Sequence, residues 1–240
     1  MASGFFAILD DIGALMDDVA VTTKVAATKT TGILGDDLAV NAEKATGFLS
    51  SRELPVLWAI TKGSLINKLI IVPLALILSV IFPAAVTIVL VLGGFYLAYE
   101  GVEKIIEYFF HHPKAAHQVT KEKEHSDIDD EKAKVKSAIT TDFILSIEIV
   151  IIALGSVAEK SLVIQAVTVS VVAVLATIGV YGIVALIVRM DDAGYKLIKH
   201  ANNKGFLSVV GLLLVKSLPV IIKILSVVGT VALVLVSGGI

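Results

Sequence analysis

The chain has 240 residues, 56% of them apolar and 18% charged, and a formal net charge of −2. Soluble domains average about 45–50% apolar and about 25% charged residues, so both departures point to a membrane protein. The charge balance excludes a strongly basic nucleic-acid binder, and no direct nucleic-acid contact is expected. The absence of cysteine excludes a disulfide framework, a thiolate metal site and a cysteine nucleophile.

Residues 1–53 are not apolar enough to span a bilayer. They carry three aspartate pairs, Asp10–Asp11, Asp17–Asp18 and Asp36–Asp37. Asp10 and Asp17 are seven apart, as are Asp11 and Asp18, which returns them to nearly one helix face. Phe5, Ile8, Leu9, Ile12, Leu15, Met16 and Val19 supply an apolar face. The expectation is an amphipathic helical region on the cytoplasmic side with a carboxylate stripe. That stripe reads either as the solvated side or as a cation-attracting surface. Oxygen ligands suit Mg²⁺, Ca²⁺ or Mn²⁺, so a divalent cation is the one cofactor the pattern admits.

Residues 54–110 read as a first membrane hairpin, divided at Pro83. Residues 111–139 read as a charged cytoplasmic loop. It holds His111, His112, His117 and His125, whose spacing matches no defined metal site. Residues 140–189 read as a second hairpin, turning at Glu159–Lys160. Residues 190–240 read as the start of a second repeat and a third hairpin around Pro219. The apolar runs are too long for strands and lack the alternation of a β-barrel. In lipid the backbone must satisfy its own hydrogen bonds, which leaves helices. The fold class is therefore all-α: a polytopic helical bundle of about six spans as three tight hairpins, with the acidic N-terminal helical region beside it.

Topology follows from the basic residues. The segments 1–53, 101–140 and 189–204 carry most of the lysine and arginine. The positive-inside rule puts all three in the cytoplasm and the short turns outside.

Glu148 stands six residues past Asp142 in an apolar run, and a carboxylate at membrane depth is costly and normally faces a bundle or cavity. Asp142 also reads as a helix N-cap after Thr140 and Thr141. Lys68, Lys216 and Lys223 are the expected charge partners. Ser146 and Gln165 extend a polar path. Met190–Asp191–Asp192 echoes Met16–Asp17–Asp18, Gly205–Phe206–Leu207 echoes Gly32–Ile33–Leu34, and Leu218–Pro219–Val220 echoes Leu54–Pro55–Val56. The preserved order points to an internal repeat, an arrangement that places sites at the repeat interface in transporters. No phosphate loop and no nucleophile–histidine–acid constellation is present, so an enzyme is not expected.

The runs MASGFFAILDDIGALMDDVAV, ILGDDLAVNAEKATGF, SRELPVLWAITKGSLINKLIIVPLALIL and GGFYLAYEGVEKI resemble the YedI-like family of bacterial inner-membrane proteins. Some members carry the name MutK and a suggested DNA-repair role. The resemblance implies a multi-pass protein of the bacterial inner membrane with no established function. Members usually run longer, so a further helix is expected beyond Ile240. More distantly, Asp142–Glu148 is similar to an acidic helix of TerC-like metal-ion exporters, which show Asp–Asn where this chain has Glu148–Ile149.

The leading expectation is a transporter or channel-like protein for a cation, divalent or proton-coupled. Glu148 and Asp142 would carry it. Asp10, Asp11, Asp17, Asp18, Asp36, Asp37, Asp191 and Asp192 would attract or bind it. The alternative is a structural membrane protein that docks partners through residues 101–140, with DNA repair less favoured. The lipid bilayer is the expected partner, and small-residue helices favour a homo-oligomer.

Overall fold

A computed structural model describes residues 2–45, 50–110, 128–201 and 205–238. All regular structure among them is helical. The six helices are α1 (Ala2–Ala45), α2 (Ser50–Ile81), α3 (Pro83–Phe110), α4 (Ile128–Ser156), α5 (Leu162–His200) and α6 (Phe206–Ser237).

Five of them, α2 to α6, are long and apolar enough to cross a membrane. Their outer faces carry exposed large apolar side chains, such as Leu69, Phe95, Leu186 and Phe206. Surfaces of that extent are lipid-facing rather than water-facing. The protein is thus a multi-pass helical membrane protein. Its core is built from fully buried branched residues, among them Ile149, Val150, Leu154, Val169 and Val184.

Two of the three expected hairpins are present. Phe82 alone separates α2 from α3, and Pro83 opens α3, where its missing N–H costs nothing. Residues 157–161 separate α4 from α5. The Ser161 hydroxyl caps α5 by accepting from the Ile164 amide. The third hairpin is not formed: α6 runs unbroken through Pro219. Prolines are tolerated inside membrane helices because neighbouring groups take up the freed carbonyl. The charged segment is also shorter than expected, because α4 begins at Ile128 and absorbs residues 128–139.

The largest difference lies in α1. Its first half is exposed on both its apolar and acidic sides, from Phe6 to Val21 apart from Leu15 and Val19, which are half-exposed. Its second half packs against α4, α5 and α6. Two contacts set its direction. Thr22 meets Thr168 near the start of α5, 2.8 Å hydroxyl to hydroxyl. Lys44 reaches Ser137 and Thr141 of α4. Residues 22–45 therefore cross the bundle, over a length of roughly 35 Å at 1.5 Å per residue. A sixth long helix, α1, packs beside the five candidate spans, and α6 is not divided in two. Asp10 to Asp18 project from the end that carries the Glu159–Lys160 turn. Arg52 lies at the opposite end, on Glu131. The described residues of 1–53 therefore do not lie together at one end of the bundle.

The repeat landmarks do not occupy equivalent positions. Met16 and Gly32 share α1, whereas Met190 and Gly205 lie on either side of the break between α5 and α6. Pro55 is in the first turns of α2 and Pro219 in the middle of α6.

Candidate functional site: a polar seam inside the bundle

The polar residues of α1 meet those of its neighbours along one buried seam. Near the end that carries Arg52, the seam centres on Asp142, which is 1% exposed. Ser64 Oγ (2.8 Å) and Tyr181 OH (2.8 Å) donate to its Oδ1. Asn67 Nδ2 (3.0 Å) and Ser146 Oγ (3.2 Å) donate to its Oδ2. Lys68 Nζ lies 3.7 Å from Oδ1 and donates to both Ser64 (2.9 Å) and Ser146 (2.8 Å). A carboxylate has about four lone-pair sites, so Asp142 is saturated. Four donors and an ammonium leave it no lone pair for a metal ion.

This corrects the reading of Asp142 as an N-cap. It lies fourteen residues into α4. Thr140 and Thr141 do not start a helix but bond back to the carbonyls of Lys136 and Ser137. The cluster ties α2, α4 and α5 together, and α1 joins through Asn41. The Asn41 amide donates to Asp37 Oδ1 and to the Asp37 carbonyl. Its Oδ1 stands 3.2 Å from Tyr181 OH. Asp142 and Lys68 are the foremost charged groups facing Asp37.

One turn away, the seam changes character. Asp36 accepts from Lys104 Nζ at 2.6 Å, and Glu100 pairs with the same ammonium at 3.0 Å. Asp36 Oδ2 is buried and has no partner. Glu148 has neither oxygen partnered, though both are buried. Its charged neighbours are Glu100, Asp36, Lys104 and Asp37. It lines a small half-open cavity between α3 and α4, of about 50 Å³, whose other walls are apolar: Val89, Leu90, Leu97, Ile151 and Ile152 among them.

Glu148 and Asp142 are two turns apart on one helix and differ in every respect that matters to exchange. Asp142 is fully ligated by protein donors. Glu148 has a cavity and no donor. A buried carboxylate that accepts no hydrogen bond is strongly disfavoured. The wider charge balance agrees. Among the described residues, Asp36, Asp37, Glu100, Asp142 and Glu148 face the seam, and Lys68 and Lys104 are the cations that oppose them.

The expected site residues divide sharply. Glu148, Asp142, Asp36, Asp37 and Lys68 converge on the seam. Asp10, Asp11, Asp17 and Asp18 are exposed on the projecting half of α1. Asp192 pairs with Arg189 at 3.4 Å. The Asp191 side chain and the four histidines His111, His112, His117 and His125 fall outside the described residues. Lys216 and Lys223 are exposed on α6, and the cation facing Glu148 is Lys104 instead. Gln165 does not extend the path; it bonds the carbonyls of Ala158 and Lys160 and closes the α4–α5 turn. Among the described residues no three carboxylate or imidazole side chains are placed to hold a metal ion.

Sequence reasoning missed Asn41, Ser64, Asn67, Glu100, Lys104 and Tyr181. Four of the contacts carry an i,i+4 signal in the sequence: Asp37–Asn41, Ser64–Lys68, Glu100–Lys104 and Asp142–Ser146. Polar pairs at that spacing inside apolar helices mark one inward face.

Fold and seam together define a multi-pass helical membrane protein with a buried ionisable core. Residues 3–240 match the model of the family described as protein of unknown function (DUF808), and the chain belongs to that family. No curated protein and no solved structure matches it.

Proposed function

We propose that the protein is a proton-coupled transporter of the bacterial inner membrane, with Glu148 as the carboxyl that loads and releases the proton. The observation that carries this reading is the pair of Glu148 oxygens, buried at membrane depth without a single protein donor. Asp36 Oδ2, also unpartnered, is the neighbouring acceptor. Lys104, held by Asp36 and Glu100, keeps the opposing charge close without occupying Glu148. Asp142 takes the other role, a fixed anion that locks four helices around the exchanging group.

A resident divalent metal is not favoured. Mg²⁺ and Ca²⁺ need six or more oxygen ligands, and the seam offers no cluster of three carboxylates among the described residues.

The test is proton flux in liposomes holding the purified protein, read with an entrapped pH dye after a pH step. Glu148→Gln keeps shape and removes the exchangeable proton. It is expected to lower flux at least ten-fold while leaving the melting temperature within a few degrees. Unchanged flux in that variant would overturn the reading.

A further inference from the structure

The geometry points to Glu100 as the group that passes the proton between water and Glu148, with Lys104 and Asp36 beside it. This rests on the reading of Glu148 as the exchanging carboxyl, and it names the way a proton reaches that carboxyl.

A relay is needed because Glu148 is closed off. Both of its oxygens are buried, and the cavity it lines is otherwise walled by apolar side chains. A trapped water needs about two to four polar partners, which those walls do not supply. The proton must therefore come from a neighbouring side chain that can bind and release it.

Burial selects that neighbour. Glu100 and Asp36 are the two foremost charged groups facing Glu148. Asp36 is 3% exposed, whereas Glu100 is 23% exposed and reaches the surface. Leu97 lines the cavity, and Glu100 follows it by three residues, on the same face of α3. Tyr96, on the same stretch of α3, also has both Glu100 and Glu148 among its charged neighbours. Lys104 bonds Asp36 at 2.6 Å and Glu100 at 3.0 Å. Its fixed positive charge favours the return of Glu100 to the carboxylate form. Only a proton moves. Hydronium gives it to a Glu100 oxygen and leaves water. The Glu100 O–H bond then breaks as a Glu148 O–H bond forms, and Lys104 keeps its own proton throughout.

The other direction offers no such group. Between Glu148 and the Glu159–Lys160 turn the core is apolar, with Leu154, Val157, Val169 and Val172 fully packed. Among the described residues no charged side chain is buried in that stretch.

The test is time-resolved infrared spectroscopy of the purified full chain after a pH step. The carboxylic-acid band that Glu148→Gln removes is followed in time. In Glu100→Gln it should rise roughly ten-fold more slowly than in the native chain, or slower still. Chemical rescue separates a proton carrier from a packing contact. Glu100→Cys introduces the single cysteine of the chain. Complete alkylation with iodoacetate restores a carboxylate there, and iodoacetamide adds a neutral amide of the same size. The first product should recover the native rate to within about three-fold, and the second should stay slow. An unchanged rate in Glu100→Gln, or equal rates in the two alkylated products, would overturn the relay and leave the Glu148 reading standing. A native chain without any band that Glu148→Gln removes would defeat the Glu148 reading and the relay with it.

Discussion

Asp142 and Glu148 show that two carboxylates on one helix can have opposite jobs. The difference is the number of donors that reach each. Removing the charge of Asp142 leaves the Lys68 ammonium buried, at 6% exposure, without its ion-pair partner. Breaking a buried pair from one side costs about 3–5 kcal/mol. Asp142→Asn should therefore lower the melting temperature by roughly 10 °C, at about 2–4 °C per kcal/mol for a chain of this size. Thermal unfolding of the purified variant checks this, and a shift under about 2 °C would show that the cluster is not a lock. Glu148 was legible in the sequence, because a lone acid in an apolar run has few explanations. Asp142 was legible as a residue but not as a role. Thr140–Thr141–Asp142 has the composition of a helix start, and only the preceding turns of α4, from Ile128 on, show that the helix had already begun. Lys104 was legible only as the i,i+4 partner of Glu100. It stands 44 residues from Glu148 in sequence, and nothing local links them.

At the scale of elements, α1 and α6 cross where glycine faces glycine. A Cβ on Gly229 would lie 2.6 Å from the Asp36 backbone, so this crossing brings α6 against the backbone that carries Asp36. Small residues allow this approach in membrane bundles. Gly13, on the projecting half of the same α1, has open space around its position. The two glycines should answer the same substitution with opposite signs. Gly13→Ala should be neutral or stabilise by up to about 1 kcal/mol through helix propensity. Gly229→Ala should destabilise by about 1–3 kcal/mol, as overpacking does. Parallel melting curves of the two variants check the pair. The continuity of α6 was hidden by Pro219, since the sequence rule that proline ends a helix is weakest in lipid.

At the scale of the whole molecule, the membrane class was written in the composition, because the bilayer constrains every residue of a spanning helix. The α2–α3 and α4–α5 hairpins were legible for the same reason. The role of α1 was not. Its polar residues lower its hydropathy below that of a lipid-facing span, and they are the ones it turns inward: Asp36, Asp37 and Asn41 are each under 4% exposed. A helix segment packed against α4, α5 and α6 need not be apolar on the face it turns inward. This placement predicts sidedness. The chain has no cysteine, so single cysteines report cleanly. Asp11→Cys should react with an impermeant thiol reagent from the same side as Lys160→Cys, and from the side opposite to Lys199→Cys. Labelling of Asp11→Cys together with Lys199→Cys would remove α1 from the bundle crossing.

The proposed function divides the labour between a proton that comes and goes at Glu148 and an anion that stays at Asp142. Infrared difference spectroscopy between acid and alkaline buffer reads a protonated carboxyl group directly. It should show a carboxylic-acid band in the native protein that persists in Asp142→Asn and disappears in Glu148→Gln. A band that survives in Glu148→Gln and is lost in Asp142→Asn would contradict the assignment and place the exchanging proton at the other end of the seam.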